Sequence, residues 1–199
     1  ATVSPILPAN DPILKALALP TRMAITMAEI DGTERQLERL EEALKSGLGL
    51  IQVRDKSWPK ANRLWFAEAV TRLAHEYGAL VVINDDADIA RRVGADGVHL
   101  SAAQLAKCVA RPAFTWVGAS CHTATEIARA GELDLDYALL GPVLPTPTHP
   151  EADGLGWAGF SQTITGNHLP VMALGGMKAG MLTEAQSHGA HGIAMMRGW

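Results

Sequence analysis

Residues 50–85 read L-I-Q-V-R-D-K-S-W-P, then K-A-N-R-L-W-F-A-E-A-V-T-R-L-A-H-E-Y, then G-A-L-V-V-I-N-D. Two short apolar runs bracket one long run at 60–77 that carries a helical pattern. A strand that stays apolar without alternating is buried on both faces, and the long run between is the crossover that joins two parallel strands. The same alternation extends in both directions. Strands are predicted at 23–27, 50–54, 80–84, 97–100, 116–120, 137–140, 171–174 and 192–196, with helices at 34–45, 60–77 and 124–130 among those between them. Eight such units predict closure into a (β/α)₈ TIM barrel, since an open doubly wound sheet ordinarily holds fewer strands. A faint internal repeat agrees: G-A-D-G-V at 94–98 and G-A-H-G-I at 189–193 precede strands half a barrel apart. The last predicted strand lies close to Trp199, so the barrel is expected to lack a regular eighth helix.

The 199 residues are 48% hydrophobic and 19% charged, with a net charge of -4, which suits a single globular domain at 21–199 behind a segment at 1–20. The absence of a basic stripe speaks against nucleic acid as a partner. No apolar run approaches a membrane span, and the opening residues lack a signal-peptide pattern, so a cytoplasmic protein is expected. Cys108 and Cys121 are then reduced thiols. Asp11 and Pro12 are a cap and first-turn pair for a short helix at 13–19, expected to cover one barrel end.

Barrels of this class place their chemistry where strands end and βα loops begin. The second strand ends with Gln52, Arg54 and Lys56, spaced by two and so on one face of an extended chain. Two cations at a strand end suit a phosphate or diphosphate; an internal ion pair with Asp85 or Asp86 is the alternative. The third strand ends with Asn84, followed by Asp85 and Asp86. Such carboxylates either hold a hard cation with substrate phosphate or cap the following helix. The fifth strand ends with Ser120 and His122, again two apart, with Thr123 as a helix cap; His122 is an acid–base candidate or a structural residue.

The loop 141–156 holds four prolines and carries Thr146, Thr148 and His149, donors that could clamp a phosphate or simply line a surface loop. Gly175 and Gly176 after the seventh strand and Arg197 after the eighth fall where phosphate sites of such barrels lie. His188 and His191 lack further zinc ligands, and G-L-G at 47–49 lacks the rest of a dinucleotide fingerprint. Trp58, Trp65 and Trp116 are expected in the core.

Taken in order, Q-V-R-D-K, I-N-D, G-A-D-G-V-H-L, G-A-S-C-H-T, G-P-V-L-P-T-P-T and A-L-G-G-M resemble the thiamine phosphate synthase/TenI family over residues 22–197. The resemblance implies an enzyme that joins an aminopyrimidine diphosphate to a thiazole phosphate. Arg54, Lys56 and Asn84 would hold the diphosphate, and Asp85 would bind Mg²⁺. Ser120, Thr146 and Thr148 would complete the contacts, while Gly175 and Gly176 would take the thiazole phosphate. Three positions depart from the family pattern. Gln104 stands where the family has a second Mg²⁺-binding Asp, His149 where it has a lysine, and Met196 or Arg197 where it has a serine. Fewer charges imply weak or absent synthase turnover, with Arg197 able to replace the serine at a phosphate. TenI-type members tautomerise a thiazole instead, which the resemblance would give to His122. The opening S-P-I-L-P-A-N-D-P resembles the tail of Nudix hydrolases fused to such barrels, which implies a Nudix domain as partner in a longer chain and a non-catalytic phosphate-ligand-binding role as a third reading.

Overall fold

A computed structural model describes residues 11–147 and 153–199. Eight strands close into a parallel barrel in sequence order. They are β1 (Arg22–Ile25), β2 (Leu50–Val53), β3 (Leu80–Asn84), β4 (Gly97–Leu100), β5 (Trp116–Cys121), β6 (Tyr137–Leu140), β7 (Val171–Leu174) and β8 (Gly192–Met195). β8 returns to β1 through the register Met23 with Ala194. The described helices are α1 (Pro12–Ala18), α2 (Ala28–Asp31), α3 (Thr33–Lys45), α4 (Lys60–Glu76), α5 (Ala87–Val93), α6 (Ala102–Lys107), α7 (Ala124–Glu132), α8 (Gly156–Ile164) and α9 (Leu182–Ser187). None of them is long and apolar enough to cross a membrane.

Alternation along the strands divides the core in two. Met23, Ile25, Leu50, Val82, Tyr137, Leu139, Met172 and Ala194 fill the barrel interior. Their neighbours, such as Ala24, Ile51, Val81, Val117, Ala138 and Ile193, face the helices and form the larger layer. Leu40 and Leu44 of α3 and Phe66, Ala67, Val70 and Ala74 of α4 meet that layer at helical spacing. Trp65 is a correction to the expected core: it is 59% exposed, because it falls outside the buried stripe of α4.

The repeat has a steric basis. A Cβ on Gly97 would lie 1.7 Å from the Trp116 carbonyl oxygen, and one on Gly192 would lie 2.0 Å from that of Thr21. Both strands begin where the neighbouring backbone leaves no room for a side chain. Asp96 accepts from the Val81 N–H at 2.8 Å, while His191, its counterpart in the repeat, places Nε2 2.8 Å from the Leu19 carbonyl oxygen.

α1 covers the N-terminal end of the strands. Asp11 caps it through the Ile13 N–H, and Lys15 pairs with Asp136 at 2.8 Å while bonding the Thr115 carbonyl. The opposite mouth lies at the strand C-termini. No described helix follows β8. A cavity of about 260 Å³ on its outer face is lined by Arg22, Arg39, Glu42, Met195 and Trp199. The Trp199 indole donates to the Ile25 carbonyl, and Arg39 stacks on its ring at 4.4 Å.

Candidate active site

β2 delivers Gln52 to the barrel interior at 1% exposure. Among the described residues its Nε2 reaches only the Met23 sulfur, at 3.5 Å, and its Oε1 has no partner. A buried acceptor left orphaned in a well-packed barrel is a place for a donor from a ligand or a water. Arg54 follows, half-buried, and Lys56 is exposed; neither forms an ion pair among the described residues. The alternative of an ion pair with Asp86 is closed, because Arg63 holds that carboxylate at 2.8 Å.

Asp55, between the two cations, escaped the sequence reading. It is 2% exposed and lines the cavity beside Arg54 and Lys56. Its carboxylate accepts from the Thr26 hydroxyl at 2.6 Å and from the Glu29 N–H at 2.8 Å. The same Thr26 Oγ1 accepts from the Arg54 N–H at 3.0 Å. Glu29 in turn accepts from the Ser57 N–H at 3.2 Å. The turn carrying Arg54 and Lys56 is thereby tied to the end of β1. Burial raises the Asp55 pKa above the ordinary carboxylate value, against the pull of those donors.

At the end of β3, Asn84 is half-buried beside Asp85, whose φ of 53 places it in the left-handed region. Asp85 uses one carboxylate oxygen to accept from the Ser101 N–H at 2.7 Å. Its other oxygen has no partner among the described residues. Asp86 takes the capping role, accepting from Ile89 N–H at 3.0 Å. Burial works against its charge, but the Ile89 N–H and the Arg63 and Lys60 cations prevail and hold its pKa low. A cavity of about 220 Å³ lies between the ends of β2 and β3, lined by Arg54, Lys56, Arg63, Asn84, Asp85 and Asp86. Gln104 sits exposed in the first turn of α6, its N–H bonded to Ser101 Oγ.

Ser120 and His122 part company. Ser120 turns inward, with Oγ 2.8 Å from His99 Nε2. His122 lies beyond the strand end, where its side chain is 59% exposed and its N–H donates to Glu126. His99 continues inward to Tyr137, with Nδ1 2.8 Å from the phenol oxygen. Neither His99 nor Tyr137 was singled out from sequence. The signal was present as a histidine at an inward position of G-V-H-L and a tyrosine opening β6, but register alone brings them together.

The loops after β6, β7 and β8 are laced to one another. Val143 N–H donates to the Leu174 carbonyl at 2.8 Å and Leu144 N–H to that of Gly175 at 3.2 Å. Gly175, at φ 104, lies so close to this loop that a Cβ would stand 2.7 Å from Pro142 Cα. Thr146 is half-buried in the same loop, while Thr148 and His149 lie outside the described residues. A bridge between Lys178 and Gly198 joins the β7 and β8 loops, with Arg197 exposed beside it. Arg54, Asn84, Ser120 and Gly175 therefore all sit at one mouth.

Comparison with known proteins agrees with the closed barrel. The family described as thiamine monophosphate synthase matches residues 22–199. A thiamine-phosphate synthase of Mycobacterium bovis is 39% identical over 171 residues, covering 79% of this chain and 77% of the relative. One from Thermus thermophilus is 37% identical over 167 residues, covering 82% and 81%. The solved thiamine phosphate pyrophosphorylase from Pyrococcus furiosus superposes with a TM-score of 0.73 at 27% identity, over 88% of this chain and 85% of that one. With its strand-end residues gathered at one mouth of a closed barrel and the match spanning that barrel, the chain belongs to the thiamine monophosphate synthase family.

Proposed function

We propose that this barrel joins an aminopyrimidine diphosphate to a thiazole phosphate, forming thiamine phosphate and releasing diphosphate. The observation that carries this reading is the pair of cations, Arg54 and Lys56, that form no ion pair among the described residues and are held at a polar cavity beside Asn84. In the reaction the bond from the pyrimidine methylene carbon to the diphosphate oxygen breaks, and its electrons leave with the oxygen. The thiazole nitrogen then donates its lone pair to that carbon. Positive groups at the departing oxygens stabilise the charge that develops there. Arg54, Lys56 and Asn84 supply such contacts, Ser120 and Thr146 extend them, and Thr148 and His149 belong to the same loop by sequence. Gln52 Oε1 suits an exocyclic amine of the pyrimidine, because that amine is a donor and the oxygen meets none among the described residues. Gly175, Gly176 and Arg197 form the place for the thiazole phosphate.

Mg²⁺ fits as a cation that arrives with the diphosphate. Among the described residues no cluster of three or more His, Cys, Asp or Glu could hold a metal. Asp85 offers one uncommitted carboxylate oxygen at the cavity, and a hard cation needs only one or two carboxylates when phosphates complete its shell. When bound, the ion would neutralise diphosphate charge.

Thiazole tautomerisation by His122 is less well supported, since that side chain is exposed and lies beside Glu126 at 3.6 Å. His122→Ala separates the two: a fall of about 10²–10⁴-fold in tautomerisation would favour that reading. Residues 1–20 as the tail of a Nudix hydrolase rest on the S-P-I-L-P-A-N-D-P stretch alone, and reading the complete gene tests it. Binding of thiazole phosphate and diphosphate without turnover of either kind would point to the non-catalytic role.

A further inference from the structure

We infer that Tyr137 and His99 are positioning residues that hold the Ser120 hydroxyl as a hydrogen-bond donor toward an anionic ligand at the barrel mouth. The inference rests on the synthase reading for the identity of that anion, but not for the direction of the hydrogen bonds.

The three groups form one line through the interior. Tyr137 Oη lies 2.8 Å from His99 Nδ1, and His99 Nε2 lies 2.8 Å from Ser120 Oγ. His99 and Tyr137 are both fully buried. Burial, aided by the Arg54 charge, pushes the His99 pKa down to about 3, so the imidazole is neutral and carries one N–H. Burial, aided by the Asp136 charge, raises the Tyr137 pKa, so the phenol keeps its proton.

Two proton arrangements remain. In the first, the phenol donates to Nδ1, and the Nε2–H donates to Ser120 Oγ. In the second, Ser120 donates to Nε2, and the Nδ1–H donates to the phenol oxygen. The second leaves the phenol proton inside the barrel with no acceptor, because Tyr137 Oη has no other partner among the described residues. An unsatisfied buried donor costs free energy that the first arrangement avoids. In the first, every buried proton has an acceptor, and Ser120 receives a hydrogen bond from below. Its own proton is then the one left to point outward, at the half-exposed end of β5. The serine presents a donor, which suits a phosphate or diphosphate oxygen.

The barrel is shaped around this chain of groups. A Cβ on Gly118 would lie 2.0 Å from Tyr137 Cζ, so the tyrosine ring occupies space that any other residue at 118 would take. The His99 and Tyr137 rings stack at 5.6 Å between centroids and 28° between planes. Gly118 pairs with His99 on one side and Tyr137 on the other, which keeps the three in register.

The test has two arms. ¹⁵N NMR of wild-type protein labelled at histidine should show His99 as the Nε2–H tautomer, and Tyr137→Phe should shift it toward a mixture. In the synthase assay, Ser120→Ala should lower kcat about 10²-fold, the scale of one lost donor to a developing anion. Tyr137→Phe should lower kcat about tenfold, the scale of one hydrogen bond, with little change in KM. The double variant should match Ser120→Ala alone, because the tyrosine acts through the serine. A wild-type Nδ1–H tautomer would overturn the inference. So would a Tyr137→Phe loss that is equally large in the Ser120→Ala background. Absence of wild-type turnover would count against the synthase reading, and the NMR arm would still decide the proton arrangement.

Discussion

Asp55→Ala isolates the contribution of the turn that carries Arg54 and Lys56. The substitution removes the acceptor for two donors, the Thr26 hydroxyl at 2.6 Å and the Glu29 N–H at 2.8 Å. Each donor left unsatisfied costs roughly 1–3 kcal/mol, less where water can enter. The Thr26 side is buried and the Glu29 side is partly open, so the expected loss is about 2–4 kcal/mol. That is a large share of the roughly 5–15 kcal/mol that holds an ordinary domain together. Urea denaturation at pH 7 measures it as a lower midpoint with an unchanged slope. The pH dependence carries a definite sign. Burial raises the folded pKa of Asp55 above the ordinary value of 3.8, so the native state binds this proton more tightly than the unfolded chain. Its contribution is present below the unfolded pKa and is lost as pH rises through the folded one. Asp55→Asn lacks that proton equilibrium and should therefore gain on the wild type as pH rises from about 4. An Asp55→Ala loss below about 0.5 kcal/mol, the range of an unremarkable surface change, would refute the reasoning.

Three further outcomes are expected. Arg54→Ala should weaken diphosphate binding by roughly 1.5–3 kcal/mol in calorimetry, the scale of a hydrogen bond to a charged group, and unchanged affinity would move the anion site elsewhere. Gly118→Ala should cost at least about 1–3 kcal/mol, because its Cβ would overlap the Tyr137 ring, and a wild-type melting temperature would contradict the packing. Gln104→Asp with His149→Lys should raise synthase turnover by restoring charge around the diphosphate, and no gain would direct attention to Arg197.

The barrel was legible because parallel strands buried on both faces leave continuous apolar runs. The runs at 80–84, 97–100, 137–140 and 171–174 coincide with β3, β4, β6 and β7. The strand-end polar groups were legible for the same reason, since they interrupt those runs. What stayed hidden depended on register or on the point where a strand stops. His99 and Tyr137 lie 38 residues apart and meet only because Gly118 stands between them in the sheet. Spacing by two placed Ser120 and His122 on one face, yet β5 ends at Cys121, and beyond it the chain turns out to cap α7. Asp55 sits between two cations in sequence, but its bond to Thr26 crosses to the neighbouring strand's end and so needs the sheet to be seen.

The central claim is that the mouth carrying Arg54, Asn84 and Ser120 makes thiamine phosphate. The most direct measurement incubates the purified protein with the aminopyrimidine diphosphate, the thiazole phosphate and Mg²⁺, and quantifies product by chromatography beside Arg54→Ala. The wild type should yield thiamine phosphate and diphosphate in equal amounts, and the variant sharply less of both. Product formed equally by the two proteins, or no product from a wild type that binds both substrates, would contradict it.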